Sequence, residues 1–222
     1  NPMDPVRLKF GLILYLMLLA SLSVHEWAHA ITADLLGDHT PRSQGRVTLN
    51  PMPHIDLLGT VIFPLFMLLG SPGFFILGWA KPVEINIRNF KNSKWGHIWV
   101  TLAGPASNII LALLGSLLAS LLVQFDLNLG QLMGMFIRIN VILAVFNLLP
   151  IPPLDGSHIF RYVVGMKEET FFKLSQWGFL ILIILINIKP FQWALSTAIM
   201  YGTLPFVWLS STLSGVPPGY FF

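Results

Sequence analysis

The chain has 222 residues, of which 55% are hydrophobic and 10% charged, with a net charge of +3. An ordinary soluble domain carries about 25% charged residues, and one soluble core of this length could not hide so much apolar surface. The bilayer must therefore take part of it, which implies a single membrane-embedded domain over 1–222 and an all-α polytopic fold of about five to six membrane segments. The basic residues are scattered, which excludes a nucleic-acid footprint. The absence of cysteine excludes disulfides, a thiol nucleophile and a Cys-based zinc site.

The first apolar stretch, 8–36, is flanked by Arg7 and Lys9 at its start, as a secretory leader would be. It carries His25, Glu26 and His29 and lacks a small-residue cleavage site, so it reads as a retained membrane helix. His25-Glu26-Trp27-Ala28-His29 is the H-E-x-x-H pattern. Helical residues four apart share a face, so both imidazoles can reach one metal ion. Glu26 sits one position on, where it can take a proton from an attacking water without being a ligand. An ionisable residue inside a span costs about 2.5–3.5 kcal/mol on insertion scales, so three together demand a partner.

The link 37–55 is polar and turn-rich, and Asp34 and Asp38 at the helix exit read as solvated. The stretch 56–79 is apolar but broken by Gly59, Pro64 and Gly70-Ser71-Pro72-Gly73, a density that favours a re-entrant segment. Val83, Ile85 and Ile87 then alternate with Glu84, Asn86 and Arg88, the period of a short membrane-associated β element with one wet face.

Four further apolar stretches follow, at 95–123, 131–149, 171–189 and 191–211. The third-ligand candidate lies past the second of these, in Phe146-Asn147-Leu148-Leu149-Pro150-Ile151-Pro152-Pro153-Leu154-Asp155-Gly156. Three prolines within four positions end or unwind the helix. A carboxylate on such a turn, followed by glycine, is suited to reach a metal, and a catalytic zinc needs three protein ligands with an open fourth position. His158, three residues beyond, is a candidate to support the ligands from behind. Arg138 within 131–149 should snorkel outward or pair locally.

HExxH in a first membrane helix, AGPASN at 103–108 and FNLLPIPPLDG at 146–156 together resemble the site-2 protease family of intramembrane zinc metalloproteases. The resemblance implies that His25, His29 and Asp155 hold one Zn2+ per chain and that Glu26 is the catalytic base. It implies that Asn147 contacts the substrate backbone and that Asn108 lies at a helix–helix interface. With the alternation at 81–87 it also implies an edge, at Val83 and Ile85, against which an extended substrate pairs. The partners implied are a membrane-protein or membrane-anchored peptide substrate and the lipid bilayer. The sequence departs from many members by carrying no PDZ or CBS region and by the extra segment 56–79.

The ligands also constrain topology. If 95–123 and 131–149 both cross, Asp155 emerges on the face where 95–123 began, and His25 and His29 meet it only if 56–79 returns to its starting face. Nine basic residues, among them Arg42, Arg46, Lys81 and Arg88, then share the face opposite Arg7, Lys9 and Lys189. That bias places the active site towards the cytoplasmic side, in the cell membrane. The rival readings are a metal-ion transporter and a catalytically inactive scaffold of the same fold.

Overall fold

The computed structural model describes residues 5–70 and 78–221. The chain divides into two compact units, Asn1–Ser93 and Lys94–Phe222.

In the first unit, α1 (Pro5–Leu35) is a 31-residue helix. Its apolar run outlasts the roughly 20 residues that a bilayer crossing needs. Its own serines are satisfied within the helix, Ser21 by the Met17 carbonyl and Ser23 by the Leu19 carbonyl. After it come a short helix, α2 (Thr40–Ser43), and a 3-10 turn at Met52–His54. A π-helical turn, Leu57–Ile62, runs into α3 (Phe63–Gly70). This composite is roughly 20 Å long by helical rise, short of the ~30 Å hydrocarbon core. Its far partner in sequence lies at its start. The Trp79 N–H donates to the Gly59 carbonyl at 3.2 Å, and the Thr60 hydroxyl donates to the Trp79 carbonyl at 2.8 Å. A Cβ on Gly59 would meet the Trp79 ring at 2.3 Å, so the close return needs glycine there. Residues 59–60 and 79, near the two ends of 56–79, thus meet; residues 71–77, on which part of the re-entrant expectation falls, lie outside the described residues.

In the second unit, α4 (Ser93–Leu122), α5 (Leu127–Asn147) and α8 (Lys189–Ser214) surround a core of Ala112, Ala119, Val123, Ile137, Val141, Val207 and Phe221. The short α6 (Asp155–Val163) and the apolar α7 (Glu168–Ile186) lie between α5 and α8 in sequence. Asn108 donates to Asn140 at 3.0 Å across α4 and α5, both fully buried, so Asn108 does lie at a helix–helix interface. Arg138 is exposed on α5.

Two fold expectations go further than the structure does. Among the described residues four helices, beginning at Leu8, Ser93, Leu127 and Glu168, are long and apolar enough to cross a membrane. The 26-residue α8 has the length, but its serines, threonines and Pro205 dilute its hydropathy. Among the described residues there is no strand. At 81–88 the alternation survives as exposure, with Val83, Ile85 and Ile87 half-buried and Glu84, Asn86 and Arg88 exposed. A ladder needs a second strand, and the described residues supply none; Ile87–Asn89 closes instead as a 3-10 turn.

Candidate active site

The H-E-x-x-H residues lie on the later half of α1, where Ala28, Ala30 and Ala33 are buried and let neighbouring chain approach closely. His25 and His29 are 3% and 6% exposed. Their Nε2 atoms are 3.1 Å apart, with rings edge-on at 83°. Two nitrogens bound to one tetrahedral zinc at about 2.0–2.1 Å would stand roughly 3.3 Å apart. The pair therefore fits that ion as it stands. Glu26, 9% exposed, points its carboxylate to Arg46, whose Nη2 lies 3.9 Å from Glu26 Oε2.

What surrounds this helix end was not expected. Asp34 and Asp38 are buried, not solvated. Asp34 accepts from Arg42 Nε at 2.8 Å and pairs with His39 at 2.9 Å. Asp38 accepts from the Thr40 N–H and hydroxyl, the Asn86 N–H and the Asn89 amide, at 3.2, 2.6, 2.8 and 2.7 Å. Burial pushes the Asp38 carboxyl up, but these four hydrogen bonds outweigh it and hold it below the usual range. Burial also pulls down Arg46, against the charges of Glu26 and Glu84, and pulls down His54, whose ring bonds the Thr48 carbonyl.

Asp38 thereby anchors the 86–89 turn to the end of α1. Between that anchor and Lys81, whose N–H donates to the His54 carbonyl at 2.9 Å, the chain has no regular secondary structure. Residues 82–85, including Val83 and Ile85, make no backbone hydrogen bond among the described residues.

In the second unit, Asn147 ends α5 and Asp155 begins α6, on either side of one proline-rich turn. A Cβ on Gly156 would fall 2.2 Å from the Leu148 carbonyl oxygen, and one on Gly178 of α7 would fall 2.3 Å from that of Pro152. The turn is gripped on both sides by positions that admit no side chain, which fixes where Asp155 leaves the backbone. Asp155 is half-buried in the first turn of α6, where the helix dipole favours an anion. Asn147 is half-buried and donates its Nδ2 to the Leu143 carbonyl at 3.0 Å, a polar close to the helix. His158 stacks at 4.8 Å on His97 and at 5.0 Å on Phe171, and His97 Nδ1 bonds the Tyr162 hydroxyl at 3.0 Å.

The family model for peptidase family M50 matches residues 123–186, the stretch that carries Asn147 and Asp155. A Bacillus subtilis protein named "Putative zinc metalloprotease YwhC" is 37% identical over 182 residues, 78% of each chain. The chain belongs to peptidase family M50. That is the site-2 protease family, and membership makes this M50 chain an intramembrane zinc metalloprotease in class. The Mycolicibacterium smegmatis relative Rip2 is 32% identical over 175 residues, 76% of this chain and 64% of its own length. Rip2 of Mycobacterium tuberculosis H37Rv is 34% identical over 144 residues, 62% of this chain and 52% of its own. No solved structure matches the chain.

Proposed function

We propose that this integral membrane protein hydrolyses peptide bonds in membrane-spanning or membrane-adjacent segments, with one Zn2+ per chain held by His25, His29 and Asp155. The observation that carries the reading is the buried His25–His29 pair, its Nε2 atoms 3.1 Å apart with Glu26 beside them. A zinc ion there would make water nucleophilic near neutral pH and polarise the substrate carbonyl.

Glu26 takes the proton from the attacking water and passes it to the leaving amine. Asn147, with Nδ2 committed to Leu143, presents Oδ1 to a substrate N–H. A substrate helix hides its peptide bonds and must be drawn out before attack. The backbone at 82–85, which has no backbone hydrogen bond among the described residues, offers an edge for that extended segment, with Val83 and Ile85 half-buried. Basic residues near this edge, Lys81, Arg88, Lys91 and Lys94, favour the cytoplasmic side for the site.

Glu26→Gln tests the reading against an inactive scaffold. The variant should keep zinc and lose cleavage of a membrane-anchored substrate by about 10²–10⁴-fold, the usual worth of a general base. Undiminished cleavage would remove Glu26 from the mechanism. Replacing Val83 or Ile85 by Pro should lower cleavage with zinc unchanged.

A further inference from the structure

Arg46 is the buried cation for which the chemistry above has no use. Its side chain is 5% exposed. Nη1 donates to the Pro53 carbonyl at 2.8 Å, Nη2 donates to the Lys81 carbonyl, and Nη2 also lies 3.9 Å from Glu26 Oε2. Carbonyls accept from Nη1 and Nη2, Nε is buried without a hydrogen-bond partner, and neither carbonyl neutralises the charge, which needs a counter-ion. Among the described residues, Glu26 is the carboxylate within ion-pair reach.

We propose that Arg46 is the positioning residue of Glu26, and that through it the setting of the base depends on the root of the segment 81–86. This rests on the proposed function above. A guanidinium is a planar fork, so one that holds two carbonyls cannot turn without breaking a bond. The direction from which its charge acts on Glu26 is therefore set by Pro53 and Lys81. Lys81 is also the last residue before the stretch 82–85, which has no backbone hydrogen bond among the described residues, so a substrate strand pairing there bears directly on the carbonyl that Arg46 grips. A cavity of about 360 Å³, lined by Gln44, Arg46, Pro53, Lys81, Pro82 and Glu84, gives this junction room to shift.

The test uses the full chain in detergent, loaded with zinc, and a dipeptide hydroxamate, whose N–O–H group engages both a metal and the carboxylate beside it. Binding is measured by calorimetry for wild type, E26Q, R46Q, R46K and E26Q/R46Q, with zinc counted in each. R46Q should keep its zinc and weaken the hydroxamate about tenfold in wild type, but less than about twofold in the E26Q background. R46K, which keeps the charge but cannot bridge both carbonyls, should fall between. An equal loss in both backgrounds overturns the coupling, as does loss of zinc in R46Q, since Arg46 would then serve the ligands. Should R46Q fail to fold, the same cycle with R46K decides, and additivity there overturns the proposal equally. A wild type that takes up neither zinc nor hydroxamate overturns instead the functional reading beneath it.

Discussion

In the first unit the chain that follows the H-E-x-x-H helix is held by side chains. Asp38 gathers four donors, two of them from residues 86 and 89, and Arg46 gathers two carbonyls and a carboxylate. In the second unit the turn that presents Asp155 is held by the absence of side chains, at Gly156 and Gly178, where backbones meet at distances a Cβ forbids. A hydrogen-bonded scaffold tolerates changes of size but not of polarity. A close-packed backbone does the reverse.

The sharpest break should come at Asp38. Asp38→Ala leaves the Asn86 N–H and the Asn89 amide without their acceptor, at a cost of about 3 kcal/mol. In a protein of this size that lowers the unfolding midpoint by roughly 6–12 °C. Gly156→Ala, a single added methyl, should move the start of α6 and weaken zinc binding about 10–100-fold by competition with a chelator. Exchanged in kind, Gly156→Ser should do no better than Ala, because volume and not polarity is at fault. The smallest effect belongs to Asn108→Ala, which strips Asn140 of a partner in the α4–α5 interface and should cost about 1 kcal/mol.

Acid should reach the first unit through the same residue. The folded Asp38 carboxyl lies below its ordinary value, so the folded chain binds fewer protons there than the unfolded chain. Its contribution is present in full above about pH 4 and is lost as pH falls through the carboxylate range. Wild type should lose stability on acidification more steeply than Asp38→Asn, which starts lower at neutral pH. Parallel curves would show that Asp38 carries no linked charge.

Much of this was legible in the residues. Five apolar stretches became helices near the expected bounds, and the described ends of 56–79 lie together at Gly59 and Trp79. H-E-x-x-H needed only helical periodicity to bring two imidazoles together. The alternation at 81–88 foretold which side chains face inward, but not that no strand among the described residues would answer it, because pairing is a property of two segments. Asp34 and Asp38 looked like solvated acids at a helix exit. Their burial depends on Arg42 and on Asn86 and Asn89, and the latter lie some fifty residues away with no local signature. Arg46 escaped notice for the same reason. Its partners at positions 26, 53 and 81 converge only once the chain has folded back.

The most direct test of the metal assignment is zinc per chain, by elemental analysis, in purified wild type and Asp155→Ala. About one zinc in wild type and a large loss in the variant is the predicted result. A well-folded wild type without zinc, or a variant that keeps it in full, would contradict the three-ligand site.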